Sequence, residues 1–447
     1  MKKALVYCGA LAAMAFGACK KEAQQPVERP LSAGTTILPN NGTLPSIIEA
    51  GDTVRLNGCG NTFFLDGKCY VKAGGVLVIQ PGVTVKGLSK PTPAEASALV
   101  ITRGGRIFAD GTAAQPITFT SDVDSVGAWG GIVILGRAPI NQDTTTVTIE
   151  GIDLPSLPAG VDVHFGGSDA ADNSGRFTYV RITNAGAAIS PNNELNSLTL
   201  GGVGSGTQIH HVLAAKGADD AFEMFGGTVR LTHIIAQSTN DDAFDFDFGY
   251  RGAIQFAVAM VNSLDNVFNG DANGIESDND GAGSSATPQT RPVISNMTII
   301  GGECAAVSGT VRGNRWRRNT SGILYNSIIM GYNSGIIQES ATLQAIRHNL
   351  VHAFTTGANP ALDASNKVWV GGCSNDSIRL RAPFEQLASG FDARPGTGSP
   401  AATGAVFNES PINVFGFTTV GYRGAFSPNA STALDWAAFA VDATPCN

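Results

Sequence analysis

The sequence is poor in charged and aromatic residues, and its balance of charge is acidic. Of 447 residues, 15% are charged and 7% are aromatic, and the net charge is −8. An acidic chain is a poor general partner for nucleic acid, so none is expected. The 55 glycines follow no strict triplet period, which excludes a collagen-like chain. The length allows about one to three domains.

Several chemical motifs are also missing. No Cys/His spacing suggests a zinc site, and no zinc-protease, serine-hydrolase or dinucleotide fingerprint stands in a convincing context. The glycine-rich loop at 201–206 lacks the lysine and the helix that a phosphate loop needs. His211 and His233 are 22 residues apart and predict a stacked structural ladder. No apolar stretch after residue 18 is long enough for a transmembrane helix.

The N-terminus has the pattern of an export signal. Two lysines precede a short apolar run at 4–18, which is too short to span a bilayer as a mature helix. Small residues directly before Cys19 resemble a bacterial lipobox, so we predict a signal peptide at 1–18 and a lipid on Cys19. No aspartate follows Cys19; we therefore expect an outer-membrane lipoprotein that faces the cell surface. The alternative is a plain secretory signal with an incidental cysteine.

The stretch that follows the signal has a different composition. Residues 19–50 are rich in Gln, Pro and Asn without periodicity, and predict a lipidated tether.

Export to an oxidising compartment predicts paired cysteines. We expect Cys59 to pair with Cys69 across a short loop. Cys373 would then pair with Cys446 and fasten the C-terminus, and Cys304 would remain unpaired.

A repeat of 22 residues is the main signal of fold. Asp219-Asp-Ala-Phe-Glu223 recurs as Asp241-Asp-Ala-Phe-Asp245, and a looser copy surrounds Glu276. Within each copy, apolar and acidic residues alternate. This alternation predicts strands with one buried and one solvated face.

Similar strands recur along most of the chain at spacings of 22 to about 39 residues, and no helical pattern separates them. Parallel strands without helical crossovers favour a parallel β-helix. We therefore predict an all-β fold, a single right-handed parallel β-helix at 51–382 with roughly 12–15 coils. The segment 383–447 would supply C-terminal coils and a cap. Asn296, Asn326 and Asn349 are expected to form an internal asparagine ladder.

The acidic copies predict a column of carboxylates, because neighbouring strands lie about 4.8 Å apart. Because the carboxylates would repel one another, such a column requires a hard cation such as Ca²⁺, raised pKa values of the kind that suit catalysis, or exposure of the carboxylates to solvent. The candidate metal ligands are Glu223, Asp245, Asp247, Asp271, Glu276, Asp278 and Asp280.

The paired aspartates allow a catalytic interpretation of the same region. Asp219, Asp220, Asp241 and Asp242 resemble part of the pattern of polygalacturonases, which use two carboxylates. The Gly-His-Gly and Arg-x-Lys motifs of that family are absent. Lyase chemistry would need Ca²⁺ and a basic residue, and Arg230 and Arg251 lie near the repeats, although nothing in the sequence fixes their roles.

A basic motif follows the acidic repeats. In Arg312-Gly-Asn-Arg-Trp-Arg-Arg318, the side chains of Arg312, Arg315, Arg317 and Arg318 could grip a carboxylated or sulfated glycan while Trp316 stacks on a sugar ring. The alternative is that the arginines pair with the acidic column.

The order of several motifs resembles a family of large exported lipoproteins of Bacteroidetes and related bacteria, often labelled multidrug transporter. The motifs begin at Ala98, Trp129 and Leu198, continue through the two acidic repeats and end at Tyr422-Arg-Gly-Ala-Phe. The resemblance implies export and a pectate-lyase-like β-helix, but no settled activity.

The expected function is non-catalytic binding or scaffolding at the outer membrane. The ligand would be an extended polysaccharide or a partner outer-membrane protein, such as a transporter or secretion component. The alternative is a polysaccharide lyase or glycoside hydrolase that uses the acidic face.

Overall fold

Short β-branched runs punctuated by glycine turns form nearly all of the regular structure. The computed structural model describes residues 34–152, 154–190, 193–261, 268–441 and 446. The predicted signal peptide and Cys19 lie outside the described residues. Within the described ranges, no helix has the length and apolar character that crossing a membrane requires.

Thirty strands follow one another in the described residues. The first half contains β1 Thr35–Leu38, β2 Ile47–Ile48, β3 Thr53–Leu56, β4 Thr62–Leu65, β5 Lys68–Val71, β6 Val76–Ile79, β7 Thr84–Gly87, β8 Ala98–Ile101, β9 Arg106–Asp110, β10 Ile117–Ser121, β11 Gly131–Leu135, β12 Gly175–Thr183, β13 Ala188–Ser190, β14 Asn193–Glu194 and β15 Leu198–Gly201. The second half contains β16 Gln208–Ala215, β17 Phe222–Phe225, β18 Arg230–Gln237, β19 Phe244–Asp247, β20 Ala253–Met260, β21 Ala272–Ser277, β22 Val293–Ile300, β23 Thr310–Arg317, β24 Ile323–Tyr325, β25 Ile328–Glu339, β26 Ala345–Arg347, β27 Leu350–Asn359, β28 Lys367–Val370, β29 Leu380–Ala382 and β30 Asp392–Pro395.

Among the residues that the structure describes, helical structure is limited to short segments. The α-helical turn is α1 Asn375–Ile378, and the 3₁₀ turns are Pro93–Glu95, Leu154–Ser156, Pro400–Ala402, Ile412–Val414 and Asp435–Ala440.

Parallel pairing between successive coils builds three sheets around a shared core. Sheet 1 contains β1, β3, β6, β9, β24, β26 and the first halves of β12, β16, β18, β20 and β22. Sheet 2 contains β4, β7, β10, β28, the second halves of those five long strands, and the beginnings of β25 and β27. Sheet 3 contains β2, β5, β8, β11, β15, β17, β19, β21, β23 and the remainders of β25 and β27.

This architecture is the predicted all-β parallel β-helix. Each sheet stacks eleven strands in the described part of the chain. The stack has fewer coils than the chain length predicts, because insertions lengthen several of them. The β-helix also starts before residue 51: β1 and β2 lie in the stretch predicted as tether and pair with β3 and β5.

A left-handed residue bends each long strand from sheet 1 into sheet 2. Tyr179, His211, His233, Phe256 and Asn296 occupy this bend, with φ between 51° and 58°. Left-handed backbone is unfavourable for most residues and is tolerated best by Asn and Gly. The bend therefore depends on the packing of the stacked side chains, and His211 and His233 stack as expected, with ring centroids 4.5 Å apart.

The predicted asparagine ladder is only partly correct. Asn326 and His348 continue the bend, with φ of 54° and 59°. Asn349 lies one position later, where it accepts the Ser327 N–H at 2.8 Å. The residue that follows Asn326 in the ladder is therefore His348 and not Asn349. The asparagine spacing in the sequence is longer by one residue than the spacing of the bend positions.

The C-terminal segment lies along the side of the β-helix, over the bend and sheet 2. Asn296 donates to the Tyr422 carbonyl at 2.9 Å, and Asn326 donates to the Val406 carbonyl at 2.9 Å. An apolar group of outward side chains on sheet 2 packs against this segment. The group includes Leu213, Ile235, Val258, Ile300, Met330 and Leu350.

The predicted cysteine pairs are wrong, although the expectation of disulfides is confirmed. Cys59 pairs with Cys446, and Cys304 pairs with Cys373. Cys69 is a free, buried thiol, because strand β5 points its side chain into the core. Cys446 reaches Cys59 because the C-terminal segment runs back toward the first coils.

Candidate functional site

The acidic repeats occupy consecutive strands of sheet 3. Parallel pairing of β17, β19, β21 and β23 places Glu223, Asp245, Glu276 and Arg315 in one column. The 22-residue period thus sets the register, and the predicted column is present. Its fourth member is a cation.

The expectation that this face is solvated is wrong. Glu223, Glu276 and Asp278 are only 5%, 6% and 5% exposed. The insertion after β11 lies over part of the face: Ile140 packs against Gly226, and Asn141 donates to the Asn279 carbonyl at 2.7 Å. From the preceding coil, Asn196 donates a hydrogen bond to Glu223. Period-two alternation cannot distinguish a solvated face from one that insertions cover.

Two of the four candidate catalytic aspartates belong to a side-chain ladder. The Asp242 N–H donates to Asp220 Oδ1 at 2.8 Å, and the Asn273 N–H donates to Asp242 Oδ1 at 2.5 Å. On the preceding coil, the Asp220 N–H donates to Asn196 Oδ1 at 3.1 Å. Asp220 and Asp242 are 7% and 4% exposed. Their first role is therefore to join successive turns.

The other two candidates, Asp219 and Asp241, are half-buried beside this ladder. Ligand oxygens of Asp219, Asp220 and Asp241 all lie within 4.8 Å of one another, and so do those of Asp220, Glu223 and Asp245. We call these five residues the carboxylate cluster.

Two more acids flank the carboxylate cluster and were missed by sequence reasoning. Glu150 comes from the insertion after β11, and Glu194 comes from strand β14. The side chain of Glu150 is partly exposed to solvent, yet desolvation by the surrounding chain, followed by the charge of Glu194, raises its pKa. Neither acid belongs to the 22-residue repeat, so no periodic signal marked it.

Burial and mutual repulsion hold protons on the carboxylate cluster. Burial, followed by the charge of Asp278, raises the pKa of Asp245 to about 7. Burial and the charge of Asp241 raise the pKa of Asp219 well above its usual value. Burial and the charge of Glu150 do the same to the pKa of Glu223. The cluster must therefore take up protons or a cation.

The oxygen-rich donor set suits a hard cation. Ca²⁺ takes six to eight oxygen ligands at about 2.3–2.6 Å. Asp245 Oδ1 and Asn273 Oδ1 are buried and have no hydrogen-bond partner within the described ranges. Carboxylate and amide oxygens without hydrogen-bond donors are suitable ligands for such an ion.

The remaining predicted metal ligands have other partners. Asp271 pairs with Arg312 at 2.7 Å, and Asp278 pairs with Arg318 at 2.7 Å. Glu276 pairs with Arg317. Asp280 accepts the Ser284 N–H at 2.9 Å, and Asp247 accepts the Phe248 N–H at 2.7 Å. The structure thus narrows the candidate metal site to the carboxylate cluster.

The arginines of β23 form the neutralised end of the same face. Arg315 contacts Asp271 at 2.8 Å and Glu339 at 3.2 Å. Arg315, Arg317 and Arg318 also line an open groove with Ser340. We call this the arginine groove. The arginines therefore pair with the acidic column, as the alternative interpretation of the sequence predicts.

The predicted stacking of Trp316 on a sugar ring is wrong. Trp316 is fully buried, and its ring packs directly against Gly322. In the alternating pattern of β23, arginine side chains point outward and the indole points inward. Trp316 therefore supports the core and not a ligand.

Arg230 and Arg251 are not paired with the acidic column. Arg230 donates to the Phe415 carbonyl at 2.6 Å, on the C-terminal segment. Neither arginine forms an ion pair with a carboxylate in the part of the chain that the structure describes.

Comparison with known proteins agrees with the fold. A family model described as a pectate-lyase-like β-helix domain matches residues 49–368. No curated protein matches the sequence.

Three solved structures show distant similarity. The crystal structure of pectate lyase Pel9A is 13% identical, with 88% of each chain covered and a TM-score of 0.41. An alginate lyase from Paenibacillus sp. str. FPU-7 is 16% identical over 67% of this chain and 93% of its own, with a TM-score of 0.22. The Dettilon tailspike protein is 13% identical over 71% of this chain and 60% of its own, with a TM-score of 0.19.

Proposed function

The chain belongs to the pectate-lyase-like β-helix domain family, and from this premise we propose that it binds an extended acidic polysaccharide along sheet 3 without cleaving it. The observation that carries the proposal is the carboxylate cluster beside the arginine groove on one face. Sites for anionic sugars need positive charge, which this face offers from arginines and could gain from a bound cation.

A calcium ion would complete the site. Asp219, Asp220, Glu223, Asp241 and Asp245 would hold it, because their oxygens converge within 4.8 Å in two overlapping groups. The bound ion would replace protons on these acids and would present a positive centre with its remaining coordination positions open. A carboxylate of the glycan would then bind the ion directly as a further oxygen ligand.

The arginine groove would supply direct contacts to the same ligand. Arg318 is 44% exposed at its side chain, more than the neighbouring Arg315 and Arg317. Arginine binds carboxylate groups with two parallel hydrogen bonds. Arg318 keeps Nη1 on Asp278, and its exposed guanidinium is the part of the groove that a glycan could reach most directly.

The N-terminal pattern supports a proposal about where the protein is located. We propose that lipidated Cys19 anchors the protein in the outer membrane and that the β-helix faces the cell surface. A surface position would bring a long solenoid face into contact with external polysaccharide. An outer-membrane transporter or secretion component is a further proposed partner.

The test is retention of polygalacturonate, an acidic glycan, by the purified protein, with neutral dextran as the comparison ligand. We expect retention of polygalacturonate with Ca²⁺, loss of retention with EDTA, and no new reducing or unsaturated ends.

Asp241→Asn should weaken binding about tenfold, the effect of losing one charged ligand. Exposed Asp52 on an early coil is the matched control position, and Asp52→Asn should change nothing. Equal binding of dextran and polygalacturonate would reject the proposal.

The alternative is a polysaccharide lyase or glycoside hydrolase. One observation favours it: the oxygens of Asp220, Glu223 and Asp245 converge within 4.8 Å, and burial raises the pKa of Asp245 to about 7, which suits general acid–base chemistry. In that case new sugar ends would accumulate, and Asp241→Asn would abolish their release without lowering the thermal midpoint.

A further inference from the structure

Three arginines on successive coils form a basic patch away from the carboxylate cluster. Arg230 begins strand β18, and Arg251 and Arg291 each stand two residues before strands β20 and β22. The Arg251 N–H donates to the Gly227 carbonyl at 2.9 Å, and the Arg291 N–H donates to the Tyr250 carbonyl at 2.7 Å. These bonds place Arg251 and Arg291 at the same point of neighbouring turns.

No carboxylate neutralises this patch within the described ranges. Arg251 and Arg291 have no ion pair there, whereas the arginines of β23 are all paired with acids. The chain carries 37 acidic and 29 basic residues. An uncompensated group of cations is therefore unusual for this chain and is costly without a counter-ion.

The C-terminal segment holds two of the guanidinium groups in place. Arg230 donates to the Phe415 carbonyl at 2.6 Å and lies 5.6 Å from the centre of the Phe417 ring. Arg291 lies 5.9 Å from the centre of the Phe415 ring. The two rings are 6.5 Å apart. Cation–π contacts of this kind orient guanidinium groups without neutralising them.

Arg291 retains an unused hydrogen-bond donor. Its Nε is buried and has no partner in the described part of the chain. Burial and the adjacent Arg251 cation lower the pKa of Arg291. A buried donor without an acceptor is destabilising, and an incoming anion would satisfy it.

We propose that Arg230, Arg251 and Arg291, with the segment 415–417, form a binding site for a tetrahedral oxyanion, the sulfate or phosphate ester group of a saccharide. Guanidinium groups suit such oxygens because each presents paired N–H donors. Val414, the residue before Phe415, is 75% exposed and offers an apolar contact for the sugar that carries the ester. This site does not depend on the carboxylate cluster or on Ca²⁺.

The test is calorimetric titration of the full chain with inorganic sulfate, inorganic phosphate, dextran sulfate and neutral dextran. We expect binding of the anions, tighter binding of dextran sulfate, weakening by added NaCl, and no binding of dextran. Arg251→Gln should weaken anion binding about tenfold or more, as expected for losing one charge-assisted hydrogen bond. Arg251→Lys should restore part of it.

Controls separate binding from folding. Arg106, exposed at the start of β9 on the same sheet, is the matched position, and Arg106→Gln should leave the affinity unchanged. Arg251→Gln should keep the thermal midpoint, because the Arg251 side chain forms no ion pair in the described structure. Absence of anion binding, unchanged affinity in both Arg251→Gln and Arg291→Gln, or an equal loss in Arg106→Gln would overturn the proposal. Binding of the inorganic ions without tighter binding of dextran sulfate would overturn its saccharide part.

Discussion

At the scale of single residues, Asp245 makes the stability of the fold depend on pH. Its pKa is raised to about 7 in the folded chain, against about 3.9 in an unfolded one. The folded state therefore keeps a proton that the unfolded state loses between pH 4 and 7. Its contribution to stability is full below pH 4 and falls as pH rises to 7.

Replacing Asp245 by asparagine removes this titration. In EDTA, we expect Asp245→Asn to gain stability relative to the wild type as pH rises from 4 to 7, by up to about 4 kcal/mol. Urea unfolding at both pH values measures the difference. A constant difference across the range would show that Asp245 ionises normally in the folded chain.

Asp242 and Asp245 are three residues apart but have different structural roles, because Asp242 belongs to the side-chain ladder. Its Oδ1 accepts the Asn273 N–H, and asparagine offers the same oxygen. Asp242→Asn should therefore keep the wild-type thermal midpoint or raise it, as Asn196 and Asn273 already serve in the same ladder. Asp242→Ala should lose about 1–3 kcal/mol, because a buried N–H is left without an acceptor. Equal losses in both variants would argue against the ladder.

This contrast shows what sequence could predict at the site. The 22-residue repeat placed Glu223, Asp245 and Glu276 in one column because identical spacing in a solenoid means adjacent coils. It could not distinguish Asp242, which belongs to the ladder, from Asp241, which lies beside it, since both positions are aspartate. It also could not find Glu150, which reaches the site through an insertion.

At the scale of structural elements, the stacked bend couples the β-helix to its C-terminal segment. Trp436 packs edge-on against His233, with ring centroids 5.1 Å apart. Burial lowers the pKa of His233 to about 4 and, with the charge of His233, that of His211 to about 2. Both histidines are therefore neutral in the folded chain, and their contribution to stability is present above pH 6.5 and is lost as pH falls toward 4.

Phenylalanine at position 233 should abolish part of this acid sensitivity. The chain already has Phe256 at the equivalent bend position, with φ of 58°. We expect His233→Phe to match the wild type near pH 7 and to be more stable than it near pH 4.5, by about 1–2 kcal/mol. Thermal midpoints at the two pH values measure this. A variant that loses stability equally at both would show that the imidazole has a structural role that a phenyl ring cannot fill.

The sequence predicted the sheets of the β-helix but not the segment that covers them. The alternation of apolar and polar residues and the spacing of the glycine turns predicted the strands and coils, because each strand pairs only with the strands one coil away. Strands β20 and β22 are buried along their whole length, although they contain Gln255, Asn296 and Thr298. Nothing local indicated that the cover is the segment after residue 383, since its contacts join positions more than 100 residues apart.

At the scale of the whole molecule, one covalent link joins the two ends of the described chain. Cys59 and Cys446 are 387 residues apart in sequence. The link holds the C-terminal segment along the side of the β-helix, over the bend and the apolar face of sheet 2. Reading short spacings in sequence led to the wrong partner, because the return path of the chain is a tertiary feature.

The pairing and its consequence can be tested together. Peptide mapping without reduction should recover Cys59 linked to Cys446 and Cys304 linked to Cys373, with Cys69 unreactive until the protein unfolds. Cys446→Ser should lower stability by about 2–4 kcal/mol, because the unfolded chain gains freedom. It should also allow proteases to cut the C-terminal segment first, since the segment would then be held by packing alone. Cys69→Ser is the comparison: it should leave both disulfides and the C-terminal segment intact. A peptide joining Cys59 to Cys69 would contradict this arrangement, and with it the idea that the C-terminal segment is tied to the first coils.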